Sequence, residues 1–249
     1  MSWLGKVLGG GIGFVLGGPL GGVMGAVMGH QFDSKAKGRG LLSSIENKQS
    51  IYFAATFSML GKLAKADGFV SQAEVDVIDR VMRENLRLDP PARKLAIQIF
   101  NAAKDSDATF ESFAQQFQQE FGSVRVVKES LVDLLLLVAY ADGTLHAAEE
   151  KLLLQAVRIF QLESHYEQIK SRFTGSNNDL SRCFQILGCK PTDELKVIKA
   201  KYRKLAMEYH PDRVLANGMS PELASVAEEK FKEIQNAFDV IEKHKRLAS

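Results

Sequence analysis

The tripeptide His210-Pro211-Asp212 is the part of this sequence whose residue types and spacing could do chemistry. An imidazole close to a carboxylate can transfer protons. The proline between them stops the preceding helix and stiffens the corner from which both groups project. No GxSxG, HExxH or paired-carboxylate pattern accompanies the tripeptide, and no GxxxxGK[ST] loop is present to bind ATP. The sequence therefore predicts a chain that is not an enzyme and has no catalytic residues.

A second set of candidate residues is acidic and lies in an internal repeat. The segments LGKLAKADGFVSQAE (60–74) and LLLVAYADGTLHAAE (135–149) share an apolar helix, Ala-Asp-Gly, and a glutamate seven residues after the aspartate. This pattern predicts a duplicated helical hairpin with turns at Gly68 and Gly143 and a capping box from Ser71 to Glu74. The acidic positions are Asp67, Glu74, Asp142 and Glu149.

Asp-Gly with a following glutamate also occurs in the second half of a calcium-binding EF-hand loop. The first and third positions of such a loop hold no carboxylate here; they are Leu63 and Lys65 in one copy and Val138 and Tyr140 in the other. The repeat resembles the TerB-like helical domain instead, and this resemblance makes the four acidic residues candidates for binding a divalent metal. The sequence favours their alternative role as helix caps and turn residues, so no cofactor is expected.

The N-terminal segment is rich in glycine, with 11 of the 20 glycines between Gly5 and Gly29 and Lys6 as its only charged residue. Residues 7–29 are uncharged, and as a helix they would be about 35 Å long, enough to cross a hydrocarbon core of about 30 Å. Glycines at every fourth position would form a stripe along which a second copy can pack closely. These are Gly9, Gly13, Gly17, Gly21, Gly25 and Gly29. This segment predicts a single transmembrane helix through which two copies of the chain form a homodimer.

The charges on either side of this helix predict its orientation. Lys35, Lys37 and Arg39 follow it, whereas only Lys6 and the amino terminus precede it. The positive-inside rule therefore places the N-terminus in the periplasm and the bulk of the chain in the cytoplasm. The predicted order is a periplasmic end (1–6), the span (7–29), a basic juxtamembrane linker (30–48), a helical domain (49–172), a linker (173–178) and a second helical domain (179–249).

The overall composition is that of a folded protein and excludes a nucleic-acid-binding domain. The chain has 249 residues, of which 45% are hydrophobic and 25% charged, and its net charge is +2. The net charge is +3 over residues 1–40, −3 over 41–175 and +2 over 176–249, so no segment is densely basic. Residues 49–172 show helical periodicity without sustained alternation, which predicts an all-α fold.

Three helices are predicted in the C-terminal domain: Leu180–Leu187, Asp193–Tyr209 and Glu222–Ile241. The second is apolar on one face and basic on another. The tripeptide lies in the loop between the second and third helices. The sequences VIKAKYRKLAMEYHPDR and AEEKFKEIQNAFDVI resemble the J domain of DnaJ-type co-chaperones, which is a helical hairpin, over almost all of residues 179–249.

This resemblance implies a mechanism. A J domain docks on an acidic surface of a DnaK-type chaperone and triggers ATP hydrolysis by that chaperone. ATP is bound by the chaperone and not by the J domain. The resemblance makes His210, Pro211 and Asp212 the activating tripeptide, and it assigns the docking face to Lys199, Tyr202, Arg203 and Lys204. Periodicity also favours a core role for Tyr202, and the alternative for the basic residues is an ordinary solvated helix face.

The order of glycine-rich span, TerB-like domain and J domain resembles the DjlA family of bacterial inner-membrane co-chaperones. The resemblance implies a single-pass protein that presents its J domain to DnaK and tunes envelope-stress or capsule signalling. A function of a different class is a metal-responsive membrane sensor or scaffold, in which the J domain only tethers DnaK. The sequence does not name the client or signalling protein that the TerB-like domain would bind.

Overall fold

The computed structural model describes residues 17–28, 41–174, 179–217, 219 and 221–247. All regular secondary structure in these ranges is helical, which confirms the predicted all-α fold. A π-helical turn, Val81–Asn85, continues the third helix. The twelve α-helices of the described ranges are α1 (Gly18–Met28), α2 (Leu41–Ala64), α3 (Gln72–Arg80), α4 (Pro90–Asp105), α5 (Phe110–Phe121), α6 (Arg125–Ala139), α7 (Ala147–Ile159), α8 (Glu163–Thr174), α9 (Asp179–Ile186), α10 (Leu195–Glu208), α11 (Pro211–Ala216) and α12 (Pro221–Leu247).

The helices form two compact units, and the boundary between them falls inside one helix. Among the described residues, the first unit comprises those up to Ser123 and Leu131–Leu162, and the second comprises Val124–Ser130 and those from Glu163 onwards. Helix α6 therefore begins in the second unit and continues into the first. Helix α8 belongs to the second unit together with the C-terminal helices.

Helix α2 forms the centre of the first unit, where it packs against α4 and α5. Every residue from Ile51 to Leu60 is buried. The surrounding core is aromatic, with the ring of Phe117 lying 4.6 Å from that of Phe121 and 5.2 Å from that of Phe160. Aromatic pairs at such distances each contribute about 0.5–1.5 kcal/mol beyond the burial of their area.

The close approach of α2 to α4 depends on Gly61. A β-carbon at this position would lie 2.5 Å from the carbonyl oxygen of Phe100, which is part of the backbone of α4. A side chain would therefore force the two helices apart, because a carbonyl in a helix cannot rotate away as a flexible side chain can.

Part of the predicted span is described, as helix α1 of 11 residues. It packs against α2, α4 and α5, and Leu20, Val23 and Met24 are buried. The side chain of Gln116 donates to the carbonyl of Gly17 at 2.7 Å and accepts from the N–H of Leu20 at 3.0 Å. Among the helices of the described residues, none has the length and apolar character needed to cross a membrane.

The predicted glycine stripe is only partly described. Gly17, Gly21 and Gly25 belong to the described residues, whereas Gly9, Gly13 and Gly29 lie outside them, as do residues 1–6, 30–40 and 175–178. A β-carbon at Gly17 or Gly25 would meet no atom within 4 Å, so nothing in the described unit covers these two positions. Helix α2 begins at Leu41, inside the segment predicted as the juxtamembrane linker.

In the second unit, α10 packs against α12, and α9 and α11 also pack on α12. The buried residues of this core include Ile198, Tyr209, Val214, Ile234 and Ile241. Helix α12 continues to Leu247, so the prediction that it ends at Ile241 was wrong. No glycine or proline interrupts it there, and Arg246 pairs with Glu242 one turn earlier at 3.2 Å.

Helix α10 begins at Leu195, two residues later than predicted from Asp193. The carboxylate of Asp193 accepts a hydrogen bond from the N–H of Lys190 at 3.0 Å. Aspartate side chains compete with helices by making such local bonds, so Asp193 stabilises the turn before the helix.

Candidate functional site

His210, Pro211 and Asp212 form the corner between α10 and α11. His210 is the N-cap of α11, and its Nδ1 atom accepts the backbone N–H of Asp212 at 3.2 Å. Pro211 occupies the first position of α11, where its missing N–H costs no hydrogen bond and its fixed φ suits a helix. The tripeptide was predicted to lie in a loop, but it forms a helix N-terminus, which fixes its backbone.

Both polar side chains of the corner remain accessible. The side chain of His210 is 48% exposed and that of Asp212 is 84% exposed. Because Nδ1 of His210 accepts a hydrogen bond, the neutral ring carries its proton on Nε2. The ring also meets Phe231 of α12 edge to face, with centroids 5.6 Å apart. The imidazole is thus held on two sides while about half of it can contact a partner.

A shallow apolar depression of about 710 Å³ lies beside the corner. Its apolar residues are Tyr202, Ala206 and Met207 of α10 and Phe231 of α12. Its polar residues are Arg203, His210, Asp212 and Arg213. Met207 is 68% exposed although it is apolar. An apolar centre with a charged rim is the usual composition of a protein-docking surface.

The structure places the predicted docking face on one helix but gives its residues different surroundings. Tyr202 and Arg203 line the depression. The ring of Tyr202 also stacks on Phe238 at 4.2 Å, so this residue contributes to the core as well as to the surface. The ammonium of Lys199 pairs with Glu242 at 2.9 Å. The exposed basic residues of the face are Arg203 and Lys204.

Four residues that line the depression were not predicted as site residues from the sequence: Ala206, Met207, Arg213 and Phe231. Arg213 directly follows the tripeptide, and Met207 lies about one helical turn before His210. Both positions indicate that these side chains lie close to the corner. Phe231 has the spacing of a core residue, and only the packing of α12 brings it to His210.

Charged residues surround the buried side chain of Tyr209, the residue that precedes the corner. Tyr209 is 4% exposed and Glu129 is 2% exposed. The hydroxyl of Tyr209 donates to the Glu129 carboxylate, whose other oxygen accepts from Nε of Arg125 at 2.7 Å. Nη1 of Arg125 also donates to Glu208 at 3.1 Å. Burial raises the pKa of Tyr209 well above its usual value, and the charge of Glu129 raises it further, so the phenol stays a donor.

The two aspartates of the internal repeat stabilise turns. Asp67 accepts from the N–H of Phe69 at 3.0 Å, and Asp142 accepts from the N–H of Thr144 at 2.9 Å. The glycines that follow have φ angles of 99° and 90°, in the left-handed region that favours glycine. The turns predicted at Gly68 and Gly143 are therefore confirmed.

The two glutamates of the repeat cap helices. Ser71 and Glu74 form the predicted capping box at the start of α3. Glu149 occupies the equivalent position in α7, where its Oε2 atom accepts from the N–H of His146 at 3.1 Å. In the part of the chain that the structure describes, no three or more His, Cys, Asp or Glu side chains are grouped to hold a metal ion.

Glu149 differs from the other acidic residues of the repeat because it is buried, with 4% of its surface exposed. Burial raises the pKa of its carboxyl to about 7; the hydrogen bond from His146 lowers it, and the charges of Glu74 and Asp142 raise it. Asp142 in turn accepts a hydrogen bond from the His146 ring at 3.0 Å and raises the pKa of that imidazole.

Three known domain families match successive parts of the chain. The Co-chaperone DjlA transmembrane domain matches residues 1–43, and Tellurite resistance protein TerB matches residues 53–170. The DnaJ domain matches residues 182–248, a range that contains the residues predicted as the docking face and as the activating tripeptide.

Proteins named Co-chaperone protein DjlA are similar to this chain over most of its length. The protein from Shewanella oneidensis is 32% identical over 99% of this chain and 100% of its own. The protein from Escherichia coli (strain K12) is 30% identical over 87% of this chain and 88% of its own, and that from Photobacterium profundum is 30% identical over 97% and 98%. No solved structure matches. The chain therefore belongs to the DjlA family of membrane-anchored co-chaperones.

Proposed function

We propose that this chain docks on a DnaK-type chaperone and stimulates its ATP hydrolysis through the activating tripeptide. The observation that carries this proposal is the geometry of the corner. His210 caps α11 and contacts Phe231, yet about half of its side chain is exposed. The same corner adjoins an apolar depression and the basic face of α10.

The charges of α10 favour transient docking. Arg203 and Lys204 are exposed, and contacts between exposed charges are each worth up to about 1 kcal/mol and weaken with salt. Such charges increase the rate of association with an acidic surface more than they increase the lifetime of the resulting complex. The partner can therefore be reached quickly, activated and released.

The N-terminal segment tethers this activity to the bacterial inner membrane. The match of residues 1–43 to a transmembrane domain and the basic residues after residue 29 support a single span with a periplasmic N-terminus and a cytoplasmic C-terminal part. The glycine stripe, of which Gly17 and Gly25 are uncovered, would join two copies. The client is the protein expected to bind residues 49–172 and to connect the chaperone to envelope-stress or capsule signalling.

A titration tests the proposed docking and stimulation. Single-turnover ATP hydrolysis by DnaK is measured at increasing concentrations of the full-length chain in detergent micelles. We expect a saturable acceleration whose half-saturating concentration increases with ionic strength. Arg203→Ala should increase that concentration by about two- to five-fold without changing the plateau. Lys243→Ala, another exposed basic residue of the second unit, is the control. Absence of acceleration at every concentration would contradict the proposal.

A further inference from the structure

The residue before His210 is held by both its backbone and its side chain. The N–H of Tyr209 donates to the carbonyl of Leu205 at 2.9 Å and closes the last turn of α10. The side chain is held by its hydroxyl, which donates to Glu129, and by the Arg125 guanidinium, which lies 5.8 Å from the centre of the ring. Because His210 follows directly, the position of Tyr209 sets where the corner begins.

Glu129 is the centre of these contacts. A buried carboxylate is stable only when its oxygens have partners, and here each oxygen has one. Oε1 accepts from Nε of Arg125 at 2.7 Å, and Oε2 accepts from the hydroxyl of Tyr209. Hydrogen bonds to a charged acceptor are short and directional, so this arrangement fixes the tyrosine in one orientation.

Arg125 holds the end of α10 at a second point. Its Nη1 atom lies 3.1 and 3.2 Å from the two carboxylate oxygens of Glu208. Arg125 thus contacts Glu208 through an ion pair, and it contacts Tyr209 both directly and through Glu129. Two successive residues before the activating tripeptide are fixed by one guanidinium.

These supporting residues lie outside the match to the DnaJ domain. That match begins at residue 182, whereas Arg125 and Glu129 lie in the first turns of α6, within the range that matches TerB. They nevertheless pack with the C-terminal helices as parts of the second unit. Helix α8 contributes in the same way, because the amide of Gln168 donates to the carbonyl of Ile186 at the end of α9 at 2.7 Å.

We infer that Arg125 and Glu129 are positioning residues that orient the activating tripeptide by fixing Tyr209 and Glu208. The inference rests on the proposed function, since it assigns a role to these residues in the stimulation of DnaK. They act through the end of α10, so their loss leaves the docking face intact. A variant should therefore still bind the partner but trigger hydrolysis less efficiently once bound.

The test compares two variants of the full-length chain in detergent micelles by single-turnover ATP hydrolysis of DnaK. Tyr209→Phe removes only the hydroxyl that Glu129 accepts, and Arg125→Gln removes the guanidinium. We expect each to lower the plateau of stimulation about three-fold or more, with the half-saturating concentration changed by less than about two-fold. Arg125→Lys, which keeps the charge, should recover part of the plateau.

Arg182→Gln is the matched control, since Arg182 is an exposed arginine of the same unit whose pair with Glu233 is long, at 3.8 Å. Hydrogen exchange of the peptide over residues 209–214 should become faster in Tyr209→Phe and stay unchanged in the control. If Arg125→Gln fails to fold, the nearly isosteric Tyr209→Phe decides the question.

The possible results separate the inference from the proposed function. Wild-type plateaus for both variants, or an altered half-saturating concentration with an unchanged plateau, would overturn the positioning role while the wild-type chain still stimulates DnaK. A wild-type chain that does not stimulate DnaK would overturn the proposed function itself.

Discussion

At the scale of single residues, exposure and burial assign different tasks to polar side chains of the same type. His210 is held by a backbone hydrogen bond and a ring contact and still presents about half of its side chain. Glu74 and Glu149 occupy equivalent capping positions, but only Glu149 is buried. A buried carboxylate makes the stability of the folded chain depend on pH.

Glu149 should make the free energy of unfolding decrease as pH rises. Its pKa is about 7 in the folded chain against 4.5 for an unperturbed carboxyl, so between these pH values the folded state binds more protons than the unfolded state. Stability is then lost from about pH 4.5 to about pH 7, by up to about 3 kcal/mol. Urea denaturation should find Glu149→Gln more stable than wild type at pH 8 and similar to it at pH 5.

The control for this comparison is Glu120→Gln, since Glu120 is exposed on the same unit. This variant should follow wild type at both pH values. A wild-type chain that is more stable than Glu149→Gln at pH 8 would show instead that the charged carboxylate stabilises the fold.

At the scale of helices, the sequence predicted the features that depend on local chemistry. The capping box of Ser71 and Glu74 and the turns at Gly68 and Gly143 follow from the residue types at those positions. Two helix boundaries were predicted wrongly. The hydrogen bond of Asp193 stabilises the turn before α10, so that helix begins later, and the helical sequence continues without a break after Ile241, so α12 ends later.

Contacts between distant helices left no such signal in the sequence. Arg125 and Glu208 are 83 residues apart, and nothing in the spacing around either residue indicates the other. Phe231 has the periodicity of the core, which does not reveal that its ring also contacts His210. Helical spacing shows which face of a helix is apolar, but the neighbour of that face is determined by the tertiary fold.

Gly61 provides a test of the contact between α2 and α4. Gly61→Ala would place a β-carbon 2.5 Å from the Phe100 carbonyl oxygen, so we expect a loss of about 1–3 kcal/mol in the free energy of unfolding. Gly22→Ala in α1 is the matched control, because a β-carbon there meets no atom within 4 Å. Denaturant unfolding gives the free energy of unfolding of both variants. Equal values would contradict the close approach of α2 to α4.

At the scale of the whole molecule, the chain joins a membrane domain, a TerB domain and a DnaJ domain in one order. The second unit extends beyond the DnaJ match and includes α8 and the first turns of α6. The part of the chain that precedes the DnaJ match therefore also supplies residues that pack with the corner at His210.

Labelling of introduced cysteines tests the proposed orientation of the chain in the membrane. Ser2→Cys should react with a membrane-impermeant maleimide applied to cells with a permeable outer membrane, whereas Ser249→Cys should react only after lysis. The native thiols, Cys183 and Cys189, are buried, so the wild-type chain serves as the unlabelled control. Labelling of Ser249→Cys before lysis would contradict the predicted topology.

Single-turnover ATP hydrolysis by DnaK, measured at a saturating concentration of the full-length chain, shows whether the tripeptide at the corner activates the partner. His210→Gln is compared with wild type and with His244→Gln, which changes an exposed histidine in the last turn of α12. We expect wild type and His244→Gln to accelerate hydrolysis equally and His210→Gln to lose the acceleration. Equal acceleration by His210→Gln would show that the tripeptide does not activate DnaK.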